Sequence, residues 1–361
     1  MRRITTPVLL LVIMLLSACP VFLGSNPDAD PQGILYSLWK DFSDIHACLD
    51  IRMSNSNNYN SWHDVYHNDA NGYSLAVYSG MSDRSLFDVC ARMIGELHDP
   101  HVGLYAPDRY SSGYEGRVDS FDRNKVRDYL IDGGTLSADN GTFFLYGVFS
   151  STSHVGYIHI ASFDDDSSKS DNPQDWARAI DGIIESLLDS TDAIIVDVRG
   201  NHGGLSQNAE YIAARFAATR EDYMKMSTKN GPGLNDFSAP LTRTIYPAGT
   251  RYTKRIALLT NGSSVSAAEW FAAALRTQHS VTHVGTTTRG AFSPKAARPM
   301  INGWYYTISD TRVTDTGGIC YEGIGIKPSV VLTDDDEKGW VWLRSNPDRQ
   351  LEKVLDWLLS Q

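Results

Sequence analysis

Apolar residues fall along this chain in three successive patterns. The first is an uninterrupted run over residues 8–16. The second recurs at helical spacing, where Ile34, Leu35, Leu38, Trp39, Phe42, Ile45 and Leu49 mark one face of an amphipathic helix. A polar stretch over 54–60 breaks that face, and Leu86, Val89, Cys90, Met93, Ile94 and Leu97 mark a second helix, capped by Ser82 or Asp83. It stops before Asp99-Pro100, because proline pushes the residue ahead of it away from helical angles. Residues 34–104 thus read as a small N-terminal helical domain, joined to the apolar run by a tether over 19–33 rich in Pro, Gly, Asp and Asn.

From residue 105 onward the third pattern takes over, with strands alternating with helices. Residues 143–149 and 154–160 predict a strand pair, and Trp176, Ile180, Ile183, Ile184 and Leu187 a helix. The short apolar run over 193–198 predicts a strand buried on both faces. A glycine turn, a helix through Tyr211, Ile212 and Phe216, a second buried strand over 256–260 and a helix from about Ser266 follow. Strands around 281–285 and 304–308 and a closing helix with Leu351, Val354, Leu355 and Leu358 complete an α/β core over 105–361. No repeat is visible. The acidic runs 164–166 and 334–337 lack EF-hand spacing and read as solvated loops.

Two strand-turn-helix units in this core carry candidate chemistry. Ligands of open α/β sheets bind at the carboxyl ends of the strands, and each unit delivers groups there. In Val196-Asp-Val-Arg-Gly-Asn-His-Gly-Gly204 the glycines let the backbone approach a bound group and aim N–H donors at it. The unit lacks the lysine of a P-loop and the spacing of a dinucleotide fingerprint, so an anion or oxyanion site fits better. In Leu258-Leu-Thr-Asn-Gly-Ser-Ser-Val-Ser-Ala-Ala-Glu269, Ser266 falls at the start of a helix, where free N–H groups favour developing negative charge. Spacing alone favours a plainer reading, with Ser266 as an N-cap and Glu269 completing a capping box.

The apolar run changes the picture of where the chain resides. With Met1-Arg2-Arg3 before it and Ser17-Ala18-Cys19 after it, it predicts a secretory signal, too short to span a membrane. Leu16-Ser17-Ala18-Cys19 resembles the bacterial lipoprotein cleavage box, which makes 1–18 a lipoprotein signal peptide and Cys19 the lipidated first residue of the mature chain; the alternative is a simple signal cut near Ala18. Pro20 stands where an Asp favours inner-membrane retention in Gram-negative lipoproteins. The expectation is therefore a bacterial cell-envelope protein, lipid-anchored to the outer membrane and facing the periplasm.

Charge and composition narrow the classes. Among 361 residues, 32 Lys and Arg stand against 43 Asp and Glu, a net charge of −11 that excludes a nucleic-acid binder held by phosphate contacts. Hydrophobic residues at 42% and charged residues at 21% fit a packed globular protein of two or three units. The four cysteines form no CxxC pair, which disfavours a zinc ribbon. Beyond Cys19, Cys48 and Cys90 lie on predicted helices of one region and either pair or remain buried thiols, which leaves Cys320 free.

Taken together, the segments Asp197-Val-Arg-Gly-Asn-His-Gly-Gly204, Ser266-Ala-Ala-Glu269, Gly285-Thr-Thr-Thr-Arg-Gly290, Asn302-Gly-Trp304 and Glu322-Gly-Ile-Gly-Ile-Lys-Pro328 occur in the order found in the C-terminal processing, or tail-specific, serine peptidases. The chain resembles that family from about residue 34 onward. The resemblance implies a crotonase-like (ClpP/crotonase) β-α core with a mixed sheet and a catalytic Ser266. Members with a Ser-Lys dyad carry the lysine just after the Gly-x-x-Thr-x-Gly turn, where this chain has Ala291, with Lys295 four residues later. The tricorn-like branch takes its base from a histidine after the N-terminal helices. Asp99-Pro100-His101-Val102 matches that place and makes His101 the general base, with Glu322 completing the charge network. Pro100 replaces the serine that bridges histidine and glutamate in tricorn, which makes Asp99 a second candidate for orienting His101.

The chemistry implied is acyl transfer to Ser266, with the oxyanion held between the N–H of Ala267 and that of Gly203 or Gly204. No metal and no cofactor is called for, and His98, Asp99 and His101 lack the spacing of a known ligand set. The expected partner is a polypeptide or peptide substrate. A PDZ insert is not expected, because the stretch between Tyr105 and Phe149 is shorter than a domain of about 50 residues. His202 replaces a proline common in the family's glycine turn and is a candidate to line the cleft. The rival readings are a non-catalytic ligand- or peptide-binding lipoprotein on the same fold and an esterase using the same serine.

Overall fold

Helix α1 (Pro31–Ile45) begins where Asp30 caps it, its carboxylate accepting the Gly33 N–H at 2.8 Å, with proline in the first turn. The helix thus starts three residues before its apolar face, and the expected tether ends at the cap. The structure is a computed structural model that describes residues 30–54, 56, 58–112, 121–137, 143–166, 174–332 and 348–361. The apolar leader, Cys19 and the acidic run 334–337 lie outside the described residues.

Three further helices follow, α2 (Leu49–Ser54), α3 (Trp62–His67) and α4 (Asp83–Gly95). The pattern of apolar residues missed α3, which sits at the end of the polar break with only Trp62 and Val65 buried. Trp62 fixes it to α1 through reciprocal indole hydrogen bonds, Trp39 Nε1 to the Trp62 carbonyl at 2.9 Å and Trp62 Nε1 to the Trp39 carbonyl at 3.0 Å.

The chain continues through β1 (Gly103–Ala106), β2 (Arg109–Ser112), α5 (Arg123–Arg127), β3 (Thr135–Leu136), β4 (Phe144–Val148), β5 (Val155–Ile160), α6 (Ala179–Leu188), β6 (Ala193–Asp197) and α7 (Ser206–Ala213). Then come β7 (Glu221–Thr228), β8 (Leu241–Ile245), β9 (Arg255–Thr260), α8 (Ala267–Leu275), β10 (Val281–Gly285), β11 (Lys295–Pro299), β12 (Tyr305–Ser309), β13 (Thr311–Thr314), β14 (Val330–Val331) and α9 (Arg349–Leu359).

Seven strands form the central sheet in the order β14-β10-β9-β6-β5-β4-β3. Its first five strands run parallel and β4 pairs antiparallel with both β5 and β3, which makes the mixed α/β sheet expected. All five residues of β6 are buried, because α6, α7 and α8 pack on one face of the sheet and α9 on the other. Two smaller sheets were not legible as such. One, β13-β7-β8, is built of half-exposed strands whose polar residues mask the alternation. The other, β11-β12-β1-β2, joins residues 103–112 to 295–309. Trp304, Tyr306 and Ile308 complete the core under α1 and α4, so the helical unit is not built from residues 34–104 alone.

The cysteine expectation needs correction in one respect. Cys48, Cys90 and Cys320 are all free thiols, as the unpaired alternative has it, but the neighbour of Cys48 is Cys320 and not Cys90.

Candidate active site

Strands β6 and β9 lie side by side and parallel, with Asp197 opposite Leu259, so the loops that leave them emerge together at the carboxyl end of the sheet. The two loops are stitched into one surface. The Gly200 N–H reaches Asn261 Oδ1 at 3.2 Å, the Val265 N–H reaches the Asn201 carbonyl at 3.0 Å, and Ser264 Oγ donates to the Val198 carbonyl at 2.8 Å.

Ser266 sits at the head of α8 with φ 58° and ψ −120°. A side chain there costs about 1–3 kcal/mol and persists only when the surroundings impose it. Glu269 supplies that constraint, because its buried carboxylate accepts the Ser266 N–H at 3.1 Å. The arm of the capping box that Glu269 contributes is therefore present, and it extends further than the spacing suggested. The same carboxylate accepts from the Thr288 hydroxyl at 2.6 Å and from the N–H groups of Gly290 and Ala291 at 2.6 and 2.8 Å. Burial pushes the Glu269 carboxyl up to about 7, while the Thr288 hydroxyl and the two N–H groups pull it down.

Gly203, at φ 94°, lies directly beneath this turn. A Cβ on it would stand 2.7 Å from Ser266 Cβ and from the Val265 carbonyl, so only glycine fits. Its N–H donates to Asn201 Oδ1 at 2.8 Å, which removes Gly203 from the expected oxyanion donors. Gly204 and Ala267 keep theirs: among the described residues no hydrogen bond takes up either N–H.

His101 occupies a different setting. It is buried, and its own N–H donates to Asp99 Oδ1 at 2.8 Å. Asp99 Oδ2 faces His46 Nε2 at 3.1 Å, and Arg52 Nη2 lies 3.6 Å from Asp99 Oδ1. The same Arg52 pairs with Glu322, and Glu322 Oε2 also accepts the N–H groups of Phe292 and Ser293 at 2.8 and 3.0 Å. Both expected orienting carboxylates are thus committed elsewhere, and the His101 Nδ1 has no hydrogen-bond partner. They act on the imidazole by charge. Burial holds His101 below its ordinary value against the pull of Asp99 and Glu322, with Lys295 and Arg52 adding to the lowering. Burial also opposes the Asp99 charge, yet Arg52 and His46 hold its carboxyl well below the usual range.

These two settings are joined by bonds. Arg52 donates to the Gly290 carbonyl at 3.0 Å, and the Gly290 N–H is one of those held by Glu269. One path of hydrogen bonds and ion pairs therefore runs from the Ser266 backbone through Glu269, Gly290 and Arg52 to Asp99 and the His101 backbone.

Residues 154–332, which hold β5 to β14 and Ser266, match the model for peptidase family S41. This chain carries a peptidase family S41 domain. It is 26% identical over 182 residues to the carboxy-terminal processing protease CtpB of Bacillus subtilis (strain 168), covering 50% of this chain and 35% of that one. It is 28% identical over 177 residues to CtpA of the same organism, covering 49% of this chain and 34% of that one. The match thus spans about a third of the length of these curated relatives. A solved structure of a candidate peptidase from Parabacteroides merdae ATCC 43184 superposes with a TM-score of 0.75 at 25% identity, covering 92% of this chain and 98% of the other.

Within the S41 domain, Ala291 is fully buried where a dyad lysine would stand, and its N–H serves Glu269. Lys295 opens β11 on the surface, and His202 is exposed. Asp197 and Arg199 of the glycine-turn motif form a buried pair that also binds Asp348 and so fixes α9 to the sheet. Sequence reasoning missed Arg52 and His46. Arg52 lies in a six-residue helix with no apolar repeat to frame it, and nothing local marks it as the cation that bridges Asp99 and Glu322.

Proposed function

We propose that this chain is a serine endopeptidase that cleaves exported polypeptides or peptides through an acyl-enzyme on Ser266. The observation that carries the reading is the positive φ of Ser266 at a helix N-terminus, where among the described residues no hydrogen bond takes up the N–H of Ala267 or of Gly204. A binding protein on the same fold gains nothing from holding a serine at that cost, which favours catalysis over the ligand-binding alternative.

In the proposed reaction His101, kept neutral by burial, takes the Ser266 hydroxyl proton as Oγ attacks the peptide carbonyl carbon. The N–H groups of Ala267 and Gly204 receive the oxyanion, each contributing about 3 kcal/mol of transition-state stabilisation. Collapse of the tetrahedral species expels the amine, which takes its proton from His101, and water then hydrolyses the ester by the same route in reverse. Asp99 and Glu322 stabilise the transient imidazolium by charge.

A fluorophosphonate probe should label the purified wild type, and Ser266→Ala should abolish both labelling and cleavage of an unfolded polypeptide. Unchanged labelling in Ser266→Ala would refute the assignment. The location is proposed from the leader: Cys19 carries a lipid that holds the protein at the outer membrane, facing the periplasm. Cys19→Ala should then release it from the membrane fraction; continued sedimentation with membranes in that variant would remove the anchor from the account.

A further inference from the structure

Two thiols meet across the seam between the helical unit and the S41 domain. Cys48 lies between two residues that grip the domain. Ahead of it, the Ala47 N–H donates to the Ser309 carbonyl at 2.8 Å, and the Ala47 carbonyl accepts from Arg312 Nε and Nη2 at 3.0 and 2.8 Å. Behind it, Arg52 pairs with Glu322. Cys320 is bracketed in the same way from the other side. It bridges Thr314 at the end of β13, the strand that carries Arg312, and it precedes Glu322 by two residues. The two brackets bring the cysteines together, close enough for each thiol to shift the proton affinity of the other.

The two thiols are unequal. Cys48 is completely buried, whereas Cys320 is partly exposed. The neighbouring Cys320 and burial push the Cys48 thiol up, while the neighbouring Cys48 holds the Cys320 thiol down. Cys320 is therefore the accessible one and the one that more readily gives a thiolate, the form that attacks disulfides. Among the described residues no group of three or more His, Cys, Asp or Glu is arranged to hold a metal, so no third ligand turns this pair into a metal site. Cys90, by contrast, packs in the helical core and takes no part.

We propose that Cys48 and Cys320 close into a reversible disulfide that locks the helical unit onto the S41 domain. The oxidant is a disulfide donor, either glutathione disulfide or an oxidised dithiol protein. The Cys320 thiolate attacks one sulfur of the donor, forming a mixed disulfide and releasing one donor thiolate. Cys48 then loses its proton, attacks the Cys320 sulfur and expels the second donor thiolate. Two protein thiols are oxidised and one donor disulfide is reduced to two thiols. The bond would cross-link positions far apart in sequence, which restricts the unfolded chain, and would hold α2 with its Arg52 against Glu322. The inference is independent of the peptidase reading, since it concerns only which sulfurs join.

The test uses the full chain, treated with glutathione disulfide or with dithiothreitol, alkylated under denaturing conditions, digested and analysed by mass spectrometry. The expected product is a peptide bearing Cys48 joined to one bearing Cys320, abolished by dithiothreitol. Oxidation should raise Tm by several degrees in the wild type and in Cys90→Ser, and leave Cys320→Ser unchanged. Recovery of both cysteines in alkylated form after oxidation, glutathione held on Cys320 with Cys48 still free, or Cys48 joined to Cys90 would each overturn the proposal. The linked peptide is read in the wild type, so the outcome stands whether or not the variants fold.

Discussion

Ser266 and His101 are held by opposite means. Around Ser266 the constraint comes mostly from backbone: glycine turns, N–H donors and one carboxylate from the following helical turn, all within residues 201–291. Around His101 it comes from polar and charged side chains brought from four separate places, His46, Arg52, Asp99 and Glu322. The difference teaches that the proposed nucleophile is set by the S41 domain itself, whereas the proposed base is set by the docking of the helical unit onto it. Damage to the ion network should therefore be felt in global stability, and damage beside Ser266 in local geometry.

The most severe test of that contrast removes the cation at the centre of the network. Arg52→Met leaves Asp99 and Glu322 as buried carboxylates without their shared partner, and breaking a buried pair in this way costs about 3–5 kcal/mol. Urea unfolding should show that loss. A change below about 1 kcal/mol would mean that the network does not hold the seam, and the contrast would fall.

A smaller effect is expected at the other end. In Glu269→Gln one carboxylate oxygen becomes an amide NH2 that faces N–H donors instead of accepting from them. Leaving such donors unpaired costs about 1–3 kcal/mol. Probe labelling of Ser266 should slow by about tenfold, because the constraint on its backbone is weakened. The pH dependence gives a second readout. The Glu269 carboxyl titrates at about 7 in the folded protein, above its ordinary 4.5, so the folded state binds that proton more tightly. The stability this provides is full below about 4.5 and is lost as pH rises to about 7. The gap between wild type and Glu269→Gln should accordingly be wider at pH 5 than at pH 8. Equal gaps at the two pH values would show that Glu269 is ionised throughout.

The same contrast explains what could be read from the sequence. Every part of the Ser266 setting is local: a fully apolar β6, a glycine turn, and serine and glutamate three residues apart, each visible as a short string. Even there the string misplaced one donor, since only the structure shows the Gly203 N–H turned to Asn201. The setting of His101 is assembled from residues up to 276 positions apart in numbering, 46 to 322, and no local pattern marks Arg52 or His46 as its members. Strand β12 was expected, but its neighbour β11 was hidden for a related reason: the sheet they share packs against helices from the far end of the chain, so its buried face answers to a distant partner.

The finest distinction concerns Lys295, whose charge lowers the proton affinity of His101 from an exposed position on β11. Because burial holds the imidazole below its ordinary value of about 6.5, activity should persist below that pH and fall only on a more acidic limb. His101 is neutral when folded and protonates more easily when unfolded. Its contribution to stability is therefore present above about 6.5 and declines as pH drops toward its folded value, in the same direction as the buried His159 and His283, whose values are pushed down to about 4 and 3. Lys295→Ala removes one source of that lowering, so the acid limb of the rate profile should move toward higher pH while the plateau stays within about twofold, as expected for an exposed and screened charge. Added salt should produce the same displacement in the wild type and less in the variant. Loss of the plateau itself in Lys295→Ala would make the lysine the base, transfer that role from the ion network to the S41 domain, and erase the division of labour between the two regions.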